Sequence, residues 1–464
     1  MAENVSPTRS AAELRSMLVP LALAQFVCSF AGSNMNVMIN DISRDLDTTV
    51  HGVQVAITVF LLVMAAFMIP GGKLTDRWGR KRCFLLGLVV YGSGAVVAAV
   101  APGLWVLILG YSVLQGLGTA LLIPPVYILT TMLYTDLTSR ARAFGVIAGM
   151  AGVGAAAGPL IGGLITTGIS WRAAFVFQAL IVVAVILFSR PLVDPVPADP
   201  TRPFDGLGTV LSAAGLICLV LGILQVGDNA VAMVVLFALG ALFLVAFLLH
   251  VRARERAGKD PLLSLSLFRN TTSNLALVTQ NVQWLVLMGI AFTVSAFLQV
   301  VRGFNAIQTG LTFTAATVGL LVSSLAAERL ARRWAQRTLI IAGFVGTIAG
   351  VVLLLVLAGF TSRIWAFGPG LVLIGLGIGL MLTPSVNVVQ SAFPEEQQGE
   401  ISGLSRSVSN LGSSLGTAIA GSILVVGLAT PGASYAAAMI VLAAIGLVGL
   451  VASLFLPRTP APVR

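Results

Sequence analysis

The feature that most constrains this chain is the recurrence of apolar stretches of about 20 residues along nearly its whole length. A stretch of that length crosses a bilayer as a helix, because a lipid-exposed backbone must satisfy its own hydrogen bonds. Only 9% of the 464 residues are charged and 57% are hydrophobic, which is too little charge to cover a water-soluble domain of this size. The sequence therefore predicts an all-α, multi-pass membrane protein.

Fourteen apolar spans can be delimited, and the span numbers used below refer to them. They cover residues 17–40, 50–71, 83–101, 104–133, 142–168, 173–189, 207–226, 230–250, 273–299, 307–327, 338–360, 364–392, 402–427 and 434–456. With a cytoplasmic N-terminus, the cytoplasmic loops and the two tails are counted as holding 23 of the 27 Lys and Arg residues, the exceptions being Arg44, Arg172, Arg302 and Arg363. Cytoplasmic loops are rich in such residues. We therefore expect a cell-membrane protein with both termini cytoplasmic, whose net charge of +10 reflects these loops and not nucleic-acid binding.

The chain repeats itself at an offset of 256 to 259 residues. The paired segments are GLGTALLIPP from 116 and GLGIGLMLTP from 375, LTDRWGRK from 74 and LARRWAQR from 330, and AAAGPLIGG from 155 and SSLGTAIAG from 413. Such parallel repeats predict two similar helix bundles that rock around a midplane site. We expect an N-terminal six-helix bundle in 1–190, a linker with accessory spans 7 and 8 in 191–268, and a C-terminal six-helix bundle in 269–464.

Several short motifs carry a family resemblance. The polar turn between spans 2 and 3, Gly72-x-Leu74-x-Asp76-Arg77-x-Gly79-Arg80-Lys81, resembles the signature loop of the major facilitator superfamily. Span 5 is similar to the glycine-proline motif of its antiporters, with Gly154, Gly158, Pro159, Gly162 and Gly163. The segments before spans 7 and 9, FDGLG from 204 and PLL from 261, resemble the fourteen-spanner drug:proton antiporter subfamily.

The resemblance implies the major facilitator fold, with two six-helix bundles plus two accessory helices. It also implies a secondary transporter that exports hydrophobic or amphiphilic small molecules by alternating access. The residues Gly72, Asp76, Arg77, Gly79 and Arg80 would act as a conformational latch between the bundles, and the span 5 motif as a seal and hinge. The alternatives are that the turn only fixes topology and that span 5 only packs closely.

Polar side chains within spans are expected to face the substrate cavity or another helix, since exposing them to lipid is costly. The cavity candidates are Asn34, Asn36, Tyr111, Gln115, Gln280, Asn281, Trp284 and Asn387. Protons are the coupling ion that the resemblance implies. However, Ala31 and Ser112 occupy the positions at which that subfamily has an aspartate and an arginine. Asp41 is the remaining coupling candidate, and we hypothesise that proton coupling is absent or weak unless Asp41 reaches the cavity mouth.

Two other readings stay open, an uncoupled facilitator of a neutral metabolite and a non-transporting membrane sensor or scaffold. An enzyme is not expected, because His51 and His250 are the only histidines, they lie at opposite membrane faces, and no span contains a carboxylate pair or metal cluster. We expect no cofactor and no metal. The expected partners are a small-molecule substrate and the lipid bilayer, with the chain acting as a monomer.

Overall fold

A computed structural model describes residues 11–134, 136–194, 198–331, 333–360, 364–394, 397–426 and 431–457, and within them every regular element is helical. Spans 1–7 comprise Ala11–Asn34 with Met35–Met38 and Ile39–Asp45; Val50–Trp78; Arg80–Ala99; Leu104–Leu107 with Ile108–Gln115 and Gly116–Leu133; Leu137–Gly168; Trp171–Phe188; and Gly206–Leu224. Spans 8–14 comprise Ala230–Arg256; Thr271–Ala296 with Phe297–Val301; Ala306–Ala331; Gln336–Phe360; Phe367–Gln390; Gln398–Val426; and Pro431–Leu454. Two short 3₁₀ turns, Leu265–Arg269 and Ile364–Ala366, precede spans 9 and 12.

Local sequence explains where many of these helices begin. The side chains of six residues accept a hydrogen bond from the third amide that follows, as N-caps do. They are Thr49, Asp136, Ser170, Asp205, Asn229 and Asn270. Between spans 2 and 3 a single residue makes the turn: Gly79 has a φ of 94°, a left-handed conformation that glycine adopts without a steric penalty.

Thirteen of the described helices are long and apolar enough to cross a membrane. They correspond to spans 1–12 and 14. The helix of span 13, Gln398–Val426, is 29 residues long but is not among them, because serines and Arg406 dilute its apolar residues. Its neighbours explain this composition, since span 13 is packed between span 9 of its own bundle and span 2 of the other and meets little lipid.

The helices pack as two bundles of the same design. In the first, span 1 packs on span 5, span 4 on spans 2 and 3, and span 6 on spans 1 and 3. In the second, span 9 packs on span 13, span 12 on spans 10 and 11, and span 14 on spans 9 and 11. Adding eight to each span number of the first set gives the second, so the sequence repeat is also a repeat of helix packing.

Within the described residues, two long helix–helix seams join the bundles, and they are related by the same repeat. Span 2 packs on span 13, and span 5 packs on span 10. Span 7 lies outside the first seam and contacts both span 2 and span 13, through an apolar cluster that includes Leu62, Val220, Leu224 and Ala418. The Ser422 hydroxyl also donates to the Ile223 carbonyl at 2.9 Å. Spans 7 and 8 pack on each other, so this accessory pair covers one seam.

Candidate functional site

The two ends of the bundles are named here by their charge. The basic end carries the turn between spans 2 and 3, with Lys73, Arg77, Arg80, Lys81 and Arg82, and the far end is the opposite one. Arg363, one of the four cations expected there, lies outside the described residues.

At the basic end, the predicted latch is tied to the linker between the bundles. Asp76 contacts Arg80 Nη2 and Arg202 Nη1, each at 2.9 Å, and its carbonyl accepts the Asp199 amide at 3.3 Å. Asp194 Oδ2 accepts the backbone N–H of Arg80 at 2.6 Å and so caps the start of span 3. Neither cation on Asp76 belongs to the second bundle.

A different side chain of span 2 reaches the second bundle. Lys73 Nζ lies 3.9 Å from Glu400 Oε1 in span 13, and Glu400 Oε1 also accepts the Ser264 amide at 2.8 Å. Gly72 packs against span 4, because a Cβ there would lie 3.8 Å from Pro124 Cβ. Arg77 is half-exposed. The structure thus brings Asp76 and Arg80 together, and at this end it is Lys73, which sequence analysis did not single out, that contacts the other bundle.

The predicted motif of span 5 packs against two neighbouring helices. A Cβ on Gly154 would meet the Phe26 carbonyl, one on Gly158 would meet the Ser33 side chain, and one on Gly162 would lie 2.9 Å from Asn34 Cβ. These three glycines therefore let span 1 approach within its own bundle.

The other end of the motif faces span 10 of the second bundle. A Cβ on Gly163 would lie 2.5 Å from the Ala306 carbonyl oxygen, and one on Gly310 would meet the Pro159 carbonyl. These contacts occur at the far end. Towards the basic end the helices separate, because a Cβ on Gly145 or Gly149 would meet nothing within 4 Å.

Span 13 repeats this packing in the second bundle. A Cβ on Gly412 or Gly416 would meet the carbonyls of Asn281 and Leu285 in span 9, and one on Gly421 would meet the Gln54 side chain of span 2. Gln54 is fully buried, and its Nε2 donates to the carbonyls of Thr417 and Ala418 at 3.2 and 3.1 Å. The glycine stripe is therefore a device that both halves use to bring helices together.

The far end is also joined through spans 1 and 9. The Asn36 carbonyl accepts hydrogen bonds from Ser295 Oγ and, at 2.7 Å, from Gln299 Nε2, while Gln299 Oε1 accepts the Asn40 amide at 3.0 Å. Asp41 follows directly, half-buried in the first turn of Ile39–Asp45. In this conformation these hydrogen bonds hold spans 1 and 9 together at the far end.

The N-terminal cavity candidates differ in how their polar atoms are satisfied. Both amide atoms of Asn34 and the Oδ1 of Asn36 are buried without a hydrogen-bond partner. Gln115 Nε2 donates to Gln178 Oε1 at 3.1 Å, and Tyr91 donates to the same oxygen at 2.7 Å. Gln115 thus bonds inside its own bundle through its Nε2, while its Oε1, like both amide atoms of Asn34 and the Oδ1 of Asn36, is buried without a partner.

Tyr111 occupies a buried aromatic cluster. It stacks on Phe60 at 4.6 Å between ring centroids, packs edge-on to Phe175 at 5.9 Å, and donates to the Ala31 carbonyl at 3.3 Å. Ser112 beside it donates to the Ala56 carbonyl at 2.7 Å. Ala31 and Ser112, where the resembling subfamily has charged residues, are both fully buried in this uncharged environment.

Two of the four C-terminal candidates hold helices together. Gln280 is buried and pairs with Ser405 and Ser409 of span 13, each at 2.9 Å, and Asn281 Nδ2 donates to the Val408 carbonyl at 2.9 Å. Trp284 is half-buried, and Asn387 is exposed at the basic end of span 12. Gln280 and Asn281 thus take the helix–helix role that is the alternative for such amides.

Sequence analysis missed a further polar contact between the bundles. It counted Arg406 with the basic loops, and that was wrong: the residue lies eight positions after Gln398 in helix Gln398–Val426, about 12 Å along the axis. The Arg406 guanidinium lies over the Tyr127 ring at 4.6 Å, and its Nη2 donates to the Tyr127 hydroxyl. The signal was present, because an arginine inside an apolar span is rare.

A cavity of about 290 Å³ lies between spans 2, 4 and 7. Its walls are entirely apolar, and none of the predicted cavity residues lines it. The lining residues are Val59, Leu62, Val63, Phe67, Val113, Leu117, Ile217 and Leu221.

Asp205, in the FDGLG segment, anchors the accessory helices. Its carboxylate is buried and lies 2.8 Å from His250 Nε2 and 3.6 Å from Arg254 Nε, both in span 8, and it accepts the Gly208 and Leu262 amides. Burial raises the pKa of Asp205, but the hydrogen bonds from His250 and from the two amides outweigh it, so the pKa lies below its usual value.

Comparison with known proteins gives concordant matches. The family model described as Major Facilitator Superfamily matches residues 21–417. The puromycin resistance protein pur8 of Streptomyces alboniger is 30% identical over 409 residues, which cover 87% of this chain and 80% of that protein. The multidrug efflux pump LfrA of Mycolicibacterium smegmatis is 27% identical over 421 residues, 90% of this chain and 81% of that one. A crystal structure of a peptide transporter POT shares the fold, with a TM-score of 0.68 at 17% identity over 94% of this chain and 93% of that one.

Proposed function

Because this chain belongs to the Major Facilitator Superfamily, we propose that it is a secondary transporter that exports hydrophobic or amphiphilic small molecules across the cell membrane. The observation that carries the direction of transport is the similarity, over most of its length, to proteins named for antibiotic resistance and multidrug efflux. Its activity is transport and not catalysis. The span 5 glycine-proline stripe supports the same reading, since it resembles the motif of exporters.

Alternating access would run through the two seams. Spans 5 and 10 touch at the far end and separate towards the basic end, and spans 1 and 9 are hydrogen-bonded at the far end. A rocking motion that opens the far end must break the Gly163–Ala306 approach and the Asn36–Gln299 bond. We take residues 1–190 and 269–464 as the two moving bundles, with Asp76 and its neighbours as the latch at the basic end.

The basic end is the proposed cytoplasmic side, with both termini there and the chain acting as a monomer. The positive charge of the turn between spans 2 and 3 and of the linker supports this orientation. Residues 1–10 and 458–464 lie outside the described residues. A Cys at the exposed position Pro203, in a background without native cysteines, should react with a membrane-impermeant maleimide only after the cells are lysed. Labelling of intact cells would overturn the orientation.

Coupling to protons is proposed to be weak or absent. No described Asp, Glu or His lies at mid-depth in a span, and Tyr111, Phe60 and Phe175 fill the surroundings of Ala31 and Ser112. A proton antiporter needs a titratable group that the cavity exposes to each side in turn. Asp41 is the remaining candidate, near the far end.

The test of the function is transport by the purified protein in liposomes, screened with a panel of dyes and antibiotics and with empty liposomes as the baseline. A cysteine pair at Asn36 and Ser295, which meet across the far end, provides the matched control. Oxidation should lock that end and stop transport, and reductant should restore it. Substrate movement that is unaffected by the lock would refute alternating access through this path.

Proton coupling is tested separately in the same liposomes. With an identified substrate, an imposed pH gradient should not drive uphill transport in the wild-type protein. Uphill transport that survives Asp41→Asn would contradict both parts of the coupling proposal, whereas uphill transport that Asp41→Asn abolishes would assign the coupling to Asp41.

A further inference from the structure

A cationic cluster with aromatic walls lies between the two bundles in the basic half of the molecule. Arg406 of span 13 packs its guanidinium on Tyr127 of span 4, and Tyr127 stacks on Phe144 of span 5 at 6.0 Å between centroids. The Tyr127 hydroxyl donates to Gln25 Oε1 of span 1 at 3.3 Å. We call Arg406, Tyr127, Phe144 and Gln25 the Arg406 cluster. It joins three helices of the first bundle to one helix of the second.

The charge of this cluster is not balanced by an acid. Among the described residues, no carboxylate lies within 4.0 Å of Arg406. The acids of spans 1 and 2 are also distant from the middle of the membrane: Asp41 and Asp76 lie near the ends of these spans. The face of an aromatic ring and a hydroxyl stabilise a guanidinium, but they leave its net charge in place. The interior between the bundles is therefore electropositive.

There is room for a ligand beside Arg406. Gly403 lies one turn earlier on the same face of span 13, and a Cβ there would meet nothing within 4 Å. Gly32 in span 1 is equally open and lies two turns after Gln25. Asn410, one turn after Arg406, has a buried Nδ2 without a hydrogen-bond partner. A guanidinium and a buried amide N–H without a partner thus follow one another along one helix face, which has open space at Gly403.

We propose that Arg406 is the substrate-recognition residue of the central site, and that the site selects amphiphilic anions and rejects organic cations. This inference rests on the proposed transport function. A carboxylate, phenolate or sulfonate accepts hydrogen bonds from a planar guanidinium in a paired geometry, and Asn410 supplies a further donor. Tyr127 and Phe144 offer apolar faces for the aromatic part of such a molecule. An organic cation would meet an uncompensated positive charge.

The site also links binding to the seam. Arg406 and Tyr127 belong to different bundles, so their contact holds the bundles together in the basic half. An anion that takes the guanidinium competes with the Tyr127 hydroxyl and weakens this contact. Substrate binding would then favour movement of one bundle against the other, as a ligand with different affinities for two states does.

The experiment uses three probes that share a pyrene ring and differ in permanent charge: 1-pyrenesulfonate, 1-pyrenemethanol and trimethyl(1-pyrenemethyl)ammonium. Binding to the purified protein is followed by quenching of tryptophan fluorescence, and transport of the two charged probes in liposomes. The wild type should bind the sulfonate at least tenfold more tightly than the ammonium probe. R406Q should reduce the ratio of sulfonate to ammonium affinity at least tenfold and leave the affinity for the neutral probe unchanged. R406K should retain part of the preference for the sulfonate. R256Q, which removes an exposed cation of span 8, is the matched control and should behave as wild type.

The outcomes separate the two claims. Equal weakening of the anionic and neutral probes in both R406Q and R406K would mean that Arg406 only tethers the bundles, and the inference fails. Preference of the wild type for the ammonium probe, or no binding of the sulfonate, also overturns it. Transport of the cation alone would leave the transport function standing without the anion site. Selective sulfonate binding without transport of any probe or panel compound would support the anion site and contradict the proposed export.

Discussion

The Gly163→Ala variant gives the sharpest test of how the far end closes. The new Cβ would lie 2.5 Å from the Ala306 carbonyl oxygen and 3.0 Å from Ile307 Cα, and both neighbours are backbone that cannot rotate away. Overpacking of this kind costs about 1–3 kcal/mol. The clash exists only while spans 5 and 10 touch, so the cost falls on the far-end-closed state and should shift the equilibrium about 5- to 150-fold towards opening.

The assay measures opening directly. Val37 is fully buried in the 3₁₀ turn Met35–Met38, which contacts spans 9 and 10 at the far end. In a background lacking Cys28, Cys83 and Cys218, a cysteine at position 37 should react with a maleimide added from the far side at a rate that reports opening. Gly163→Ala should raise that rate by at least fivefold.

Two further glycines serve as controls for this rate. Gly168→Ala places its Cβ in open space and should change nothing. Gly154→Ala meets the Phe26 carbonyl within the first bundle, so it should lower the melting temperature without raising the labelling rate. If folded Gly163→Ala is labelled no faster than Gly168→Ala, the clash does not act on the far-end-closed state and the reasoning is refuted.

Three other predictions follow from single side chains. Asp205→Asn should lower the free energy of unfolding by about 2–3 kcal/mol at neutral pH, because charged hydrogen bonds are lost. Since the folded pKa of Asp205 is lowered, the carboxylate contributes fully to stability above about pH 5, and its contribution fades as pH falls below about 4. The difference between the melting temperatures of wild type and variant should therefore close at low pH. A constant gap from pH 3 to 8 would contradict this. Asp76→Asn should leave insertion intact and slow transport several-fold through weaker contacts with Arg80 and Arg202; normal turnover would favour a purely topological role. Trp284→Ala should weaken substrate binding about tenfold, or ~1.4 kcal/mol, with little loss of expression, and equal losses would make the residue structural.

The sequence by itself determined the class of the molecule. Fourteen apolar spans, an offset repeat and a charged turn between spans 2 and 3 are local or periodic signals, and lipid leaves the backbone little choice but helix. The fold prediction is confirmed by the helices, their repeated packing and the family match. The glycine stripe of span 5 was also readable, because small residues at four-residue steps indicate a close helix contact wherever the partner lies.

Only the tertiary structure decided which polar residues face a partner. Asn34 and Gln280 look alike in sequence, yet Asn34 is buried with both amide atoms unused while Gln280 is fully bonded to span 13. Arg406 was counted with the basic loops although span 13, delimited as 402–427, already contains it. Its partner Tyr127 is 279 positions away in the chain. Periodicity places a residue in the membrane, but the rotation of each helix against its neighbours, set by packing between distant segments, decides what the side chain meets.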